Sequence, residues 1–450
     1  MIYADEENFM LGTPLAKSLY YEIASKLPVI DFHNHLNVCD VVTNRRYNDL
    51  AELWLLSDPY KHRAMRICGV EERLITGNAG NFEKFYAWCS IFPELAGNPL
   101  FHWSDMELSK IFGIDKKICV ENAKYIWEAA NEKLSLKEFY AKSLLDKFNV
   151  EYAAPCMSIF DDVSVLKGEK NLAPSMRCDD ILPFNSTVIN KLDKKPESLE
   201  ALAKVFSGKM TVLHEAGCRF SDHALDDGFI YFKDDGKNEE RFKRLLGGEV
   251  LSDEEEKYLC SAVLRILGKE YAKRGWAMQL HCGARRYTST RLRNVAGPAG
   301  GFAAIGNSSV EAITEFLNDL EKEELLPRTI VFTLNPSDNA AISILSGSFC
   351  EDGIRGKVQQ GTAWWWCDHA KGMREVFESM SAYSVISTFL GMTTDSRNIL
   401  SFVRHEYFRR IFCGWLGEKA EKGEMPKDTK LLSEIVRNVC YENVKNILKF

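Results

Sequence analysis

The stretch "LPVIDFHNHL", residues 27–36, begins with apolar residues and ends with two histidines. An apolar run that ends in polar side chains is typical of a buried strand whose last residues reach a site. Because alternate side chains of a strand share a face, Asp31, His33 and His35 are predicted to point the same way. Two imidazoles one pleat apart can bind a single cation, and two ordinary polar residues at a strand end are the plain alternative.

Seven further segments have strand character, and most of them follow a stretch with helical periodicity. They are "NVEYAAPCM" (149–157), "NLAPSMR" (171–177), "CRFSDHAL" (218–225), "WAMQLHCGARR" (276–286), "RTIVFTLNPSDN" (328–339), "GKVQQGTAWWW" (356–366) and "VISTFLGMTTDSR" (385–397). Strands that alternate with helices indicate a parallel sheet. With the first stretch they make eight strands, which predicts an α/β fold, a distorted (β/α)8 TIM barrel.

The stretch after the first strand is different, because amphipathic helical patterns dominate it and strand signals are poor. We therefore predict an inserted helical domain at residues 40–145. Residues 1–39 would form an N-terminal segment and the first barrel strand, and residues 146–450 the remainder of the barrel. No repeat and no linker rich in Pro or Gly separates these parts, so the insert is expected to pack closely on the barrel.

Composition excludes several classes of function. The 450-residue chain carries a formal charge of −7 and no basic run, which argues against a nucleic-acid partner. No run of 18 apolar residues predicts a membrane helix, and the acidic amino terminus lacks the features of a signal peptide. Thirteen cysteines without a C-x-x-C pair fit free thiols in a reducing compartment, so a cytoplasmic protein is expected. The sequence leaves a homo-oligomer open.

Polar and aromatic side chains collect at the predicted strand ends. In (β/α)8 enzymes the catalytic side chains lie at the carboxyl ends of the strands, so these residues are predicted to surround one site. In chain order they are His33 and His35, Arg177, Asp222 and His223, His281 and Arg285, Asn335 and Asp338, Trp364 and Trp365, and Asp395 and Arg397.

Longer stretches are more specific. "YKHRAMRICGV" (60–70), "GCRFSDHALD" (217–226) and above all "GMTTDSRNILSFVRHEYFRRIFCGWLGEKAEKGEMP" (391–426) resemble the uronate isomerases, also called glucuronate isomerases, of the amidohydrolase superfamily. The likeness extends over nearly the whole chain. It implies an aldose-ketose isomerase that interconverts D-glucuronate with D-fructuronate and D-galacturonate with D-tagaturonate. The reaction moves a proton from C2 to C1 through an enediol, which calls for a base, an acid and positive charge near two oxygens.

The resemblance also implies catalytic roles. Asp395 matches the family's aspartate after strand eight, and we expect it to act as the base and as a metal ligand. Tyr60 matches a tyrosine of the inserted domain whose phenol would deliver or relay the second proton. Arg397, two residues beyond Asp395 and on its face if the strand continues, would stabilise the enediolate.

Binding roles follow in the same way. Arg177 is suited to the uronate carboxylate, for which a bidentate guanidinium is the natural partner. His281 would contact the substrate or join the metal ligands, and Trp364 and Trp365 would form an apolar wall. The plain alternatives are a salt-bridged arginine and tryptophans of the core.

Three residues, His33, His35 and Asp395, form the predicted metal site. Nitrogen and oxygen ligands of this kind suit zinc or another divalent transition metal. Whether the ion takes part in the chemistry is left open by the sequence.

Several positions depart from the family pattern. Pro59 precedes the tyrosine where the family commonly has histidine, and Ala299 and Ala303 replace two acidic residues of a loop. After strand two, only Asp161 and Asp162 remain of a longer family turn. These changes keep two alternatives open: a metal-dependent hydrolase or deaminase, and a diverged sugar-acid binder without catalysis.

Overall fold

The computed structural model describes residues 6–297 and 301–449. Seven parallel strands form one sheet in the order β1-β2-β3-β4-β5-β8-β9, and the short strands β6 and β7 form a separate antiparallel pair. The fold is the predicted distorted (β/α)8 barrel of the α/β class. The strands are β1 Val29–Asn34, β2 Val150–Ser158, β3 Ser175–Arg177, β4 Phe220–Leu225, β5 Ala277–Cys282, β6 Ala284–Arg285, β7 Ala304–Ile305, β8 Arg328–Thr333 and β9 Val358–Gln360.

Helices surround the sheet. The α-helices up to β2 are α1 Pro14–Ser18, α2 Val38–Val42, α3 Leu50–Trp54, α4 Pro59–Ile67, α5 Asn81–Ile91, α6 Pro99–Met106, α7 Val120–Leu134 and α8 Ala141–Lys147. Those that follow are α9 Ser186–Asn190, α10 Leu199–Glu215, α11 Asn238–Leu246, α12 Asp253–Lys273, α13 Thr290–Ala296, α14 Val310–Glu321, α15 Asn339–Ser343, α16 Leu345–Ser348, α17 Ala370–Tyr383, α18 Val403–Glu421, α19 Thr429–Arg437 and α20 Asn443–Leu448. No helix in the described ranges is long and apolar enough to cross a membrane.

Shorter helical turns join these elements. The 3-10 turns are Ala24–Lys26, Glu72–Leu74, Phe92–Leu95, Lys137–Phe139, Val163–Leu166, Pro336–Asp338, Trp365–Cys367, Ile386–Thr388 and Ile399–Phe402, and the π turns are Leu19–Ile23, Glu107–Ile111 and Asn438–Glu442.

The prediction of an eighth strand at residues 385–397 is wrong. This segment begins with a 3-10 turn, and the left-handed backbone at Gly391 (φ 71°) and Asp395 (φ 49°) interrupts any regular ladder. The segment still lies against β1, because Asp395 N donates to His33 O at 3.0 Å and His35 N donates to Ser396 O at 2.7 Å. At its other side Leu390 N donates to the side chain of Gln359 in β9 at 3.2 Å. This irregular segment therefore bridges the first and last strands of the sheet.

Helices α2 to α8 all lie between β1 and β2, where the sequence predicts a helical insert. Large side chains such as Trp54 and Trp88 are fully buried among them, with their rings 6.3 Å apart. The boundaries at residues 39 and 145 stay predictions. What matters for the site is that this region supplies α4, which carries Tyr60.

Candidate active site

One cavity at the carboxyl ends of the strands brings the predicted site residues together. Its lining contains all nine of them: His33, His35, Tyr60, Arg177, His281, Trp364, Trp365, Asp395 and Arg397. Asp222, Arg286, Pro59 and Ala303 also line it. His223, Arg285, Asn335 and Asp338, which the strand ends also suggested, do not.

Asp395 lies at the centre of the polar part of this cavity. Its Oδ1 is 2.9 Å from His35 Nε2 and 3.3 Å from His33 Nε2, while its Oδ2 accepts a hydrogen bond of 3.0 Å from Trp364 Nε1. Burial raises the pKa of the Asp395 carboxyl, but the hydrogen bonds from the two histidines outweigh burial and hold it well below its usual range. The carboxylate is therefore ionised at neutral pH, and Trp364 orients it in addition to forming a wall.

His33 and His35 stand at the end of β1, but simple alternation does not explain their positions. The pairing of β1 with β2 shifts register between Asp31 and Asn34, and β1 ends before His35. Asp31, predicted to share their face, is fully buried outside the cavity lining. Its carboxylate bonds to His405 Nε2 at 2.9 Å and to Thr394 N at 3.1 Å. Asp31 therefore anchors the segment that carries Asp395.

Tyr60 reaches the cavity from the second position of α4. Asp58 caps this helix, accepting from Tyr60 N at 2.9 Å, and Pro59 occupies the first helical position, where a missing N–H costs nothing. The Tyr60 ring packs edge-on between Trp103 (5.7 Å) and Trp366 (5.5 Å). Its buried hydroxyl has no hydrogen-bond partner among the described residues, and burial raises its pKa well above the usual range. The phenol is thus a neutral O–H, enclosed at the edge of the cavity and with its ring oriented by the two tryptophans.

Three arginines bring positive charge to the cavity. Arg177 Nη1 donates to His35 Nδ1 at 3.2 Å, and Arg177 Nε donates to Asp179 at 3.0 Å. Arg286, which the sequence did not single out, bonds to Asp226 at 2.9 Å and lies 5.5 Å from the Trp365 ring.

Arg397 does not follow from strand alternation, because the backbone leaves the extended conformation at Asp395 (φ 49°). Its side chain is nevertheless exposed at the cavity wall. The predicted reason was wrong, although the predicted location is right.

His281, at the end of β5, lies beside the histidines of β1. Its ring stacks on Phe332 at 4.5 Å and lies 4.5 Å from the ring of His33. Its Nδ1 is 2.6 Å from Asp222 Oδ1, yet neither ring nitrogen makes a well-oriented hydrogen bond within the described part of the chain. Asp222 belonged to the strand-end pattern, but no sequence pattern predicts that it faces His281.

Cys156 in β2 lies against the site histidines, outside the cavity lining, and the sequence did not predict this contact. Its Sγ lies 3.5 Å from His33 Nδ1 and 3.8 Å from Asp222 Oδ2. Burial raises the pKa of the thiol, but His33 and His35 lower it to a net value of about 7. Its position near the end of a predicted strand was the one available sign of a contact with the site. A cysteine at such a position is usually a small core residue.

The cluster fits a divalent metal ion. In the described residues, two groups place all their ligand atoms within 4.8 Å of one another: His33 with His35 and Cys156, and His33 with Asp222 and His281. The predicted ligand Asp395 belongs to neither group, although its Oδ1 lies 2.9 Å from His35 Nε2 and 3.3 Å from His33 Nε2. Nitrogen, oxygen and sulfur donors gathered in this way are the ligand types that transition metals bind. The geometry is consistent with a bound divalent metal ion.

The departures from the family pattern lie close to this cavity. Pro59 and Ala303 both line it, and Ala299 lies outside the described residues. Asp161 and Asp162 serve the turn after β2: Asp161 accepts from Ser158 N at 2.7 Å and Asp162 caps the next helical turn.

Comparison with known families gives a match over nearly the full length. Residues 1–448 match the family model described as glucuronate isomerase. A uronate isomerase of Bacillus licheniformis is 39% identical over 459 aligned residues, covering 99% of this chain and 97% of that protein. A uronate isomerase of Caldicellulosiruptor saccharolyticus is 39% identical over 461 aligned residues, covering 99% of both.

Solved structures agree. The crystal structure of a uronate isomerase from Thermotoga maritima superposes with a TM-score of 0.90 at 29% identity, covering 98% of this chain and 99% of that one. A glucuronate isomerase structure from Caulobacter crescentus has a TM-score of 0.89 at 21% identity, covering 99% of this chain and 96% of that one, and supports the fold.

Proposed function

This chain belongs to the glucuronate isomerase family, and from that premise we propose how its cavity carries out the reaction. The protein is a uronate isomerase, an aldose-ketose isomerase. Its substrates are hexuronates: D-glucuronate, converted to D-fructuronate, and D-galacturonate, converted to D-tagaturonate. The convergence of Asp395, Tyr60 and three arginines on one cavity is the observation that supports the mechanism.

Asp395 is the proposed base. Its carboxylate is ionised and is oriented by Trp364 and the two histidines, so it can remove the proton from C2 of the aldose. The same contacts that keep it ionised also make it a weaker base, because they stabilise its charged form. Tyr60, as a neutral phenol, is the proposed donor or relay for the second proton, which ends on C1. Arg397 is proposed to stabilise the negative charge of the enediolate.

Arg177 is the proposed partner of the uronate carboxylate. Its guanidinium reaches the cavity already oriented by Asp179, which lowers the entropy lost when it binds a ligand. Trp365, on whose ring Arg286 lies, and His281 would line the path of the sugar carbons.

We propose that His33, His35 and Asp395 hold a zinc ion or a similar divalent metal. Such an ion would act as a template and Lewis acid for the carbonyl and hydroxyl oxygens of the sugar.

A cytoplasmic location is also proposed. The thirteen cysteines of the chain form no disulfide, which fits a reducing compartment.

A direct assay tests the proposed function. The purified, metal-replete protein is incubated separately with D-glucuronate and D-galacturonate, and formation of the ketouronate is followed. Conversion of either sugar supports the proposal, and solvent deuterium at C1 of the product would support proton transfer over a hydride shift. A folded protein that converts neither sugar would contradict it and would favour the hydrolase or the non-catalytic binder.

Replacing Arg177 by methionine tests the carboxylate site. Methionine keeps much of the apolar stem but removes the charge, so we expect KM for the uronate to rise by about tenfold or more with a smaller change in kcat. Steady-state kinetics with both sugars measure this. Arg285→Met is the matched control, because this side chain is 69% exposed and lies outside the cavity lining. An unchanged KM in Arg177→Met would show that the carboxylate binds elsewhere.

Replacing Pro59 by histidine tests the departure beside Tyr60. Pro59 lines the cavity at the first position of α4, which tolerates other residues, so we expect the helix to persist. An added imidazole should change kcat or the ratio of the two sugar activities by about threefold or more. Equal kcat and equal ratios in the two proteins would mark the substitution as neutral.

A further inference from the structure

Arg404 is a buried cation directly behind the proposed acid. It lies in α18, is 2% exposed, and donates from Nη1 to the equally buried Asp368. Its guanidinium carbon is 5.4 Å from the centre of the Tyr60 ring and 5.0 Å from that of Trp103. No role in substrate contact accounts for this arginine, since it is absent from the cavity lining.

Burying the ion pair of Arg404 and Asp368 costs free energy of folding. Moving a guanidinium and a carboxylate out of water is expensive, and a well-packed apolar pair is often at least as stable. The pair also leaves polar atoms unsatisfied, because Arg404 Nε and Asp368 Oδ1 have no partner in the described part of the chain. Stability alone therefore gives no reason for a charge at this position.

The reaction gives one. When the Tyr60 hydroxyl gives its proton to the sugar, negative charge spreads over the oxygen and the ring until the phenolate takes up the proton that O2 of the sugar loses as the C2 carbonyl forms. A cation over the ring attracts the phenolate more strongly than the neutral phenol. Asp368 holds the guanidinium in place, and Trp103 and Trp366 hold the ring.

We propose that Arg404 is a positioning residue for Tyr60: held by Asp368, it fixes the phenol and stabilises the charge left on it during proton transfer. The inference rests on the proposed role of Tyr60 in the isomerisation. In this proposal Asp368 keeps the guanidinium of Arg404 over the Tyr60 ring.

A double-mutant cycle tests the proposal. Arg404→Met, Tyr60→Phe and the double variant are compared with the unmodified protein in kcat and KM for the better uronate. Arg404→Met is expected to lower kcat by about 10²-fold with KM nearly unchanged, but by less than about twofold in the Tyr60→Phe background. Arg404→Lys should recover part of the lost kcat, because it keeps the charge.

Controls separate this role from simple stability. Arg409 is buried on the same helix but donates to the backbone oxygens of Ala24 and Leu27, so Arg409→Met should lower thermal stability without lowering kcat of the folded enzyme. If Arg404→Met does not fold, Arg404→Lys and Asp368→Asn replace it in the cycle. Asparagine keeps an oxygen that accepts from Arg404, and its smaller effect on kcat should also vanish with Tyr60→Phe.

The outcomes are distinct. Equal losses of kcat in the two backgrounds would overturn the role of Arg404 and leave Tyr60 in place. A loss confined to KM would overturn it too. Full kcat in Tyr60→Phe would overturn the proposed role of Tyr60, and this inference with it.

Discussion

Asp395→Asn is expected to lower kcat by about 10³-fold or more while the protein stays folded. The amide cannot accept the C2 proton, although it has the shape of the carboxylate. Its oxygen can still accept from Trp364 Nε1, as Asp395 Oδ2 does at 3.0 Å. Asparagine also tolerates the left-handed backbone that Asp395 adopts (φ 49°) better than most residues, so backbone strain should not confound the result.

Two measurements make this prediction specific. Exchange of the C2 proton with deuterated solvent should fall together with kcat, whereas thermal unfolding should shift little. Asp338→Asn is the matched control, because this carboxylate follows β8 and accepts from Ser308 N at 2.9 Å outside the cavity lining. Near-normal turnover and exchange in Asp395→Asn would reject the carboxylate as the base.

The fold could be predicted from the sequence wherever strand patterns alternate with helical periodicity. Seven predicted strands form, because each is a short run with apolar residues that alternates with helical stretches along the chain. The segment "VISTFLGMTTDSR" is richer in β-branched residues than most of these strands, yet Gly391 and Asp395 take left-handed backbone conformations. Backbone hydrogen bonds to β1 and to His35 stabilise this irregular conformation. The strand propensity of a residue does not include such long-range contacts.

Sequence patterns alone predicted fewer features of the site than of the fold. Strand ends pointed to His33, His35, His281 and Asp395, because the carboxyl ends of parallel strands meet at one side of a barrel. Tyr60 came from the family resemblance, since no local pattern says that a helix of the insert reaches the cavity.

Cys156 and Arg404 were not found at all. One looks like a core residue of a strand, and the other lies within a helix whose contacts are set by packing with distant parts of the chain. Such pairings depend on side-chain directions that residue type alone does not fix.

The metal ligands give the other large expected effect. His35→Gln should remove the bound divalent ion from the purified protein, whereas His281→Gln should retain it. In tetrahedral zinc sites the ligand atoms lie about 3.3 Å apart, close to the 2.9 and 3.3 Å that separate Asp395 Oδ1 from the two β1 histidines. His281 Nδ1 is only 2.6 Å from Asp222 Oδ1, which is closer than two ligand atoms of one tetrahedral zinc ion lie.

Metal content after dialysis against limiting zinc, with circular dichroism to confirm folding, distinguishes the ligand sets. His33→Gln should lose the ion in every case, because His33 belongs to each candidate group. Cys156→Ser is the matched control: it keeps the ion if Asp395 completes the site, and loses it if the thiol does. Retention of the ion in His35→Gln together with its loss in His281→Gln would place it on Asp222 and His281. Asp395 would then be relieved of metal binding and left to act as a base alone.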